Sequence, residues 1–239
     1  MRAEVVWQAP QTHPGCHSGA MRSIEPGISR FRVWSNAPSW NDVAAPATGA
    51  RSLSPCGRGL GDTLMYSFQL SRHRRANVWL DESPPAEFMA SSMLTRIVKP
   101  KKIVDVSQRI AAIELYIPHG PFASYALLGG ELVHSDVDGL EVILPVSSIG
   151  VPFAPSLALK ADEVRSGIPD EYAGAVFAGI ERAADATGIP VRFSLRFRWA
   201  AHGLMGSSSL IFERVSGLIV QLLALPKDTS EERIVALLE

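Results

Sequence analysis

The stretch Gly167–Trp199, GIPDEYAGAVFAGIERAADATGIPVRFSLRFRW, decides the fold, because two unlike periodicities meet in it with only a short break between them. Pro169 has the fixed φ that suits the first turn of a helix, and Asp170 and Glu171 put negative charge where the helix dipole favours it. Tyr172, Val176, Phe177, Ile180 and Ala184 then recur at helical spacing and make one apolar face. Gly188 fits the C-terminal cap and Pro190 prevents continuation. From Val191 the period falls to two. Val191, Phe193, Leu195, Phe197 and Trp199 point one way, and Arg192, Ser194, Arg196 and Arg198 the other.

Reading outward, Arg109–Ile117 and Tyr125–Val133 are apolar, partly β-branched runs separated by Pro118-His119-Gly120-Pro121. Gly129-Gly130 marks a bulge or bend in the second run. Asp136-Val137-Asp138-Gly139 is a turn, and Leu140–Pro145 returns as a third strand, a spacing that suits an antiparallel meander. Ser156–Lys160 reads as a short strand or a connector. After the strand ending at Trp199, Ala200–Ser208 reads as a loop. A second helix follows over about Ser208–Leu225, stopped by Pro226, and then a short terminal helix over Ser230–Leu238. The expected fold is α+β: a four-stranded, mixed or antiparallel sheet with helices packed on one face, occupying residues 102–239.

Residues 1–92 differ in character. They hold nine arginines and no lysine, eight prolines, both cysteines and four of the five tryptophans. Turn formers interrupt them every few residues, a pattern that buries too little apolar surface to offset chain entropy. The expectation is a disordered N-terminal extension or a mis-assigned one. Ser52–Gly61 reads like translated GC-rich intergenic DNA, which would set the true start at Met65, Met89 or Met93. No positively charged start followed by an apolar run and a small-residue cleavage site is present, so a cytoplasmic location is expected.

Composition excludes several classes. A formal net charge of −1 argues against a strongly basic nucleic-acid coat. Two cysteines build neither a disulfide framework nor a four-cysteine zinc site, and no pair of histidines has metal-ligand spacing, so no metal or cofactor is expected. The longest apolar run, Gly217–Leu225, is too short to span a bilayer.

Two stretches carry a resemblance. Gly167-Ile168-Pro169-Asp170-Glu171-Tyr172 with Gly179-Ile180, followed by the alternating strand and by His202 ahead of Ser207-Ser208, resembles domain IV of elongation factor G over roughly Val164–Leu223. Here the loop after His202 is one residue longer and Gly206 stands where that family has Asp. No phosphate loop of the Gly-x-x-x-x-Gly-Lys-Ser/Thr kind occurs, so the chain would be a free-standing copy of one translation-factor domain. The resemblance implies the fold of the second domain of ribosomal protein S-five, with a β-α-β crossover of left hand, and a tip that touches the ribosome or structured RNA.

The candidate contact residues are His202, Gly203, Gly206, Ser207 and Ser208 at the tip, with Arg192, Arg196 and Arg198 beside it. Glycines that admit close approach, followed by serines that open a helix, make a corner able to hold an anion; the plainer alternative is a helix start with a serine cap. The arginine row is either a phosphate-contacting strip or the solvent face of a one-sided sheet. His202 alone is weak evidence for catalysis, and the chain is read as non-enzymatic. An alternative rests on Gly203–Ser209, GLMGSSS, which is similar to the phosphate loop of GHMP kinases and would make a shortened nucleotide-binding enzyme. A third is a structural protein oligomerising through the 208–225 helix.

Overall fold

The computed structural model describes residues 65–99, 101–147, 149–158 and 161–239. Eight strands are ordered in it: β1 (Met65–Gln69), β2 (Arg75–Leu80), β3 (Ser92–Val98), β4 (Arg109–His119), β5 (Phe122–His134), β6 (Leu140–Val146), β7 (Val164–Ser166) and β8 (Phe193–Gly203). Three helices accompany them: α1 (Ala173–Thr187), α2 (Ser209–Leu223) and α3 (Glu231–Leu238). The sheet runs β1-β2-β4-β5-β8-β6-β3, with β7 paired to the far end of β8. Every pairing is antiparallel except β6 with β8, which is parallel from Leu140↔Phe193 to Ile143↔Arg196.

The α+β class and the helical layer agree with the sequence reading, but the sheet has eight strands rather than four. Three of the additional strands, β1, β2 and β3, begin within the segment set aside as lacking regular structure. The boundary at residue 92 is therefore corrected: residues 65–92 contribute β1, β2 and the start of β3 to the sheet. Residues 1–64, with the expectations placed on them, lie outside the described residues. The meander is corrected as well. β4 and β5 pair as a hairpin, but β8 is inserted between β5 and β6 after the α1 crossover.

One face of the sheet carries Ile113, Leu115, Leu128, Val142, Leu144 and Leu195 under α1 and α2, which supply Val176, Ile180, Phe212, Val215 and Ile219. The helices cross closely because residue 179 is glycine: a Cβ there would collide with the Glu213 carbonyl and the Ser216 hydroxyl of α2. The aliphatic run of α2 is spent inside this core, and Ile234 and Leu238 of α3 join it. That leaves Leu210 as the large apolar side chain of α2 that is exposed.

The other face is not bare. A second buried cluster gathers Trp79, Ala112, Tyr125, Leu127 and Trp199 under Phe153 and Ala158 of a strap whose described residues are 149–158 and 161–163. Trp199 reaches it through a break in the expected alternation. The β5–β8 register shifts between Gly129 and Gly130, so Phe193, Leu195 and Phe197 face the helices while Trp199 faces the strap. Gly129 is required there, and a side chain at Gly130 would force Leu195 to shift. A Cβ on Gly129 would lie 2.6 Å from the Ala112 Cβ, and one on Gly130 2.8 Å from Leu195 Cδ1.

Candidate functional site

The glycine–serine corner forms where β8 turns into α2. β8 extends to Gly203, four residues past the sequence expectation, because β7 pairs with its last turnward residues, Val164 opposite Gly203 and Ser166 opposite Ala201. His202 therefore sits in the strand, not in the tip, and is 6% exposed. Its Nδ1 lies 2.9 Å from the Gly167 carbonyl, so Nδ1 carries the proton and donates it. This histidine is a buried tie between β8 and the lead-in to α1, a correction to its placement in a contact loop.

The turn itself, residues 204–206, is held from three sides. The Asp162 carboxylate accepts the Gly206 N–H at 2.7 Å and the Met205 N–H at 3.2 Å. The Ser207 hydroxyl donates to the Tyr125 carbonyl at 2.6 Å and accepts the Gly203 N–H at 2.9 Å. The Tyr125 N–H donates to the Gly206 carbonyl at 3.0 Å. Glycine is needed at 203 and at 206, because a side chain at either position would run into the Asp162 carboxylate, or at 206 into the Ala123 carbonyl. The corner does hold an anion, and the anion is the protein's own aspartate. Ser208 is the extended N-cap residue of α2 and makes no side-chain cap bond. Around this turn Leu204, Met205, Leu210 and Phe122 are exposed.

The arginines separate. Arg192 precedes the strand in a left-handed turn at φ 61°, its N–H donating to the Gly139 carbonyl. Arg196 and Arg198 are exposed on the open part of the sheet face, beyond the strap. Arg198 meets the Glu131 carboxylate at 3.4 Å and stacks over the Trp199 ring at 5.7 Å. Arg196 lies opposite Glu131 in the β5–β8 ladder and forms no ion pair among the described residues. Asp136 and Asp138 belong to the bend between β5 and β6, as turn chemistry predicts.

Sequence reasoning missed a buried polar cluster under the strap. Glu114 is 1% exposed in the middle of β4. Its carboxylate accepts from the Tyr125 hydroxyl at 2.9 Å, the Leu157 N–H at 2.8 Å and the Asn77 amide at 2.8 Å, and Asn77 in turn accepts from Ser67 at 2.8 Å. Burial pushes the Glu114 carboxyl above its ordinary range, against the pull of these donors. Burial and the neighbouring Glu114 charge push the Tyr125 phenol well above its own. The signal was present in the sequence: a carboxylate between Ile113 and Leu115, in a run apolar on both faces, has to find donors inside.

Among the described residues, no three His, Cys, Asp or Glu side chains gather as a metal would require, and no helix is long and apolar enough to cross a membrane. A cavity of about 10 Å³ lies between Val106, Leu140, Ile189, Pro190, Val220 and Leu223, and its lining is apolar. No protein-family model and no curated protein matches this chain.

Proposed function

We propose that this chain contains a module of the elongation factor G domain IV kind that engages structured RNA by shape and charge, without bond chemistry. The observation that carries the reading is the connection β6–α1–β8, a parallel crossover that inserts β8 between β5 and β6 and is followed by α2 on the same face. A parallel β-α-β crossover is compatible with what the Gly167–Tyr172 resemblance implies.

The contact surface is the open sheet face carrying Arg196 and Arg198, with Arg192 at its end, rather than the glycine–serine tip. Arg196, with no ion pair among the described residues, and Arg198, whose exposed guanidinium meets Glu131 at 3.4 Å, suit phosphate oxygens, which fix position without reading sequence. The tip amides that a phosphate would need are already donated to Asp162, and the His202 Nδ1 proton is already donated to Gly167. The same occupancy favours this reading over a nucleotide-binding enzyme.

The test is sedimentation with ribosomes and binding to a structured ribosomal RNA fragment across a salt series. Association at low salt should weaken as salt rises, and Arg196→Gln/Arg198→Gln should abolish it while the variant still unfolds in one cooperative transition. Absence of binding at low salt, or equal binding by the double variant, removes the proposal.

A further inference from the structure

β3 is the last strand of the sheet, and its outer side has no partner among the described residues. Natural edges are blunted by shortness, proline, a bulge or charged side chains, because a straight unpaired edge templates another strand. β3 has no proline, lysine or bulge, and its one charge, Arg96, is turned to the helix face, where it meets Glu181. It is seven residues long, reads SMLTRIV, and pairs with β6 in unbroken register from Ser92↔Val146 to Val98↔Leu140. Its open-face side chains include Met93, 59% exposed, and Ile97, 53% exposed. Met89 before it and Ile103 after it are exposed as well. The buried cluster beneath the strap contains no residue of β3 or β6, so the strap does not shield this end of the sheet.

We propose that β3 pairs antiparallel with β3 of a second copy of this chain, about a two-fold axis through Thr95. The strand is self-complementary in that register. Met93 stands opposite Ile97 of the second copy and Ile97 opposite its Met93, so the exposed apolar side chains cover one another on the open face. On the helix face Leu94 stands opposite Arg96. Arg96 is the one charge in the strand, and it already meets Glu181 of α1 at 3.0 Å and stacks over the Phe177 ring at 4.5 Å. The two arginines lie diagonally across the seam with a glutamate beside each, so the seam carries equal and alternating charge. An axis through Arg96 would instead set the two arginines face to face, and one through Leu94 would leave Ile97 uncovered. A two-fold axis perpendicular to the sheet keeps both helical layers on one side and joins the two open faces into one surface.

The experiment uses the full chain. Light scattering on a sizing column at high-micromolar concentration should give twice the 25.8 kDa of one chain. Met93→Lys/Ile97→Lys, at two exposed positions, should reduce this to one chain whose unfolding midpoint matches that of the wild type diluted until it too is one chain. In a background with Cys16 and Cys56 replaced by serine, Thr95→Cys should give a disulfide-linked dimer on mild oxidation, since directly opposed residues of an antiparallel pair have Cα atoms within disulfide reach. A wild-type mass of one chain overturns the proposal, whether the edge is then covered by another protein or by residues 1–64. So does a dimer that survives the lysine pair, and so does a dimer that Thr95→Cys does not capture.

Discussion

On one face of the sheet, Val176, Ile180, Phe212 and Val215 of two helices lie on Ile113, Leu128, Val142 and Leu195. On the other, a strap that shows no regular helix among its described residues covers Trp79, Tyr125, Leu127 and Trp199, and carboxylates pin it down. The helical layer is held by apolar burial, which has no preferred direction and is spread over many side chains. The strap is held by a few directed bonds: Glu114 to the Leu157 N–H, the Asp162 carboxylate to the tip amides, and Arg75 to the Leu157 carbonyl at 2.7 Å. Damage to the first should loosen the whole body. Damage to the second should be smaller and local, because partners of a lost charged group pay for it where they stand.

The largest expected effect is on the helical side. Phe212 is fully buried and stacks on Tyr172 with ring centroids 5.0 Å apart. Phe212→Ala should destabilise by about 3–5 kcal/mol and lower protection of all core amides together. A loss confined to α2 in hydrogen exchange would break the idea that this layer is one cooperative unit.

Glu114→Ala comes next. It strands the Tyr125 hydroxyl, the Asn77 amide and the Leu157 N–H, and should destabilise by about 2–3 kcal/mol, since water entering the vacated space replaces part of what is lost. The strap amides near Leu157 should lose protection more than those of α1. Equal loss in both would mean that the strap and the helical layer open as one. Asp162→Ala should have a smaller effect, about 1–2 kcal/mol, with faster exchange at Met205 and Gly206 and none in α1. Unchanged exchange at those two amides would show that Asp162 is not what holds the tip.

The contrast also explains what the sequence disclosed. The helical side was legible because α1 and α2 are long, their apolar residues recur every three or four positions, and Gly188 closes α1 at φ 85°, a positive value that favours glycine. β4, β5 and β6 were legible as apolar runs, and Gly129-Gly130 did mark the register shift. β1 and β2 were not: five and six residues give too few alternations, and Arg, Ser and Pro around them set the composition of the segment. β3 has apolar residues on both faces, Met93 and Ile97 outward and Leu94 and Val98 inward, so it lacks the contrast that alternation needs. The insertion of β8 between β5 and β6 pairs residues 59 to 76 positions apart, from His134↔Phe193 to Ala126↔His202, which no local period encodes. Asp162 is likewise more than forty residues from the amides it holds. The sequence showed a corner fit for an anion and could not show that one was supplied from within.

The smallest effect is also the most discriminating, because it separates the charge of Glu114 from its hydrogen bonds. Burial raises this carboxyl in the folded state above its unfolded value, so folding takes up a proton between the two. Stability from this group is therefore greatest below the ordinary carboxylate range and falls as pH rises through the raised folded value. Glu114→Gln removes the titration and keeps the bonds: its amide oxygen accepts from Tyr125 and Leu157, and its amide nitrogen is met by the Asn77 oxygen once that side chain turns over. Ser67 then accepts from the Asn77 nitrogen instead of donating to its oxygen. At neutral pH the variant should match the wild type within about 1 kcal/mol. Its unfolding free energy should fall less than that of the wild type between the ordinary carboxylate range and neutrality. Parallel pH profiles for the two proteins would mean that the strap is pinned by geometry alone and that the buried charge plays no part in closing this face.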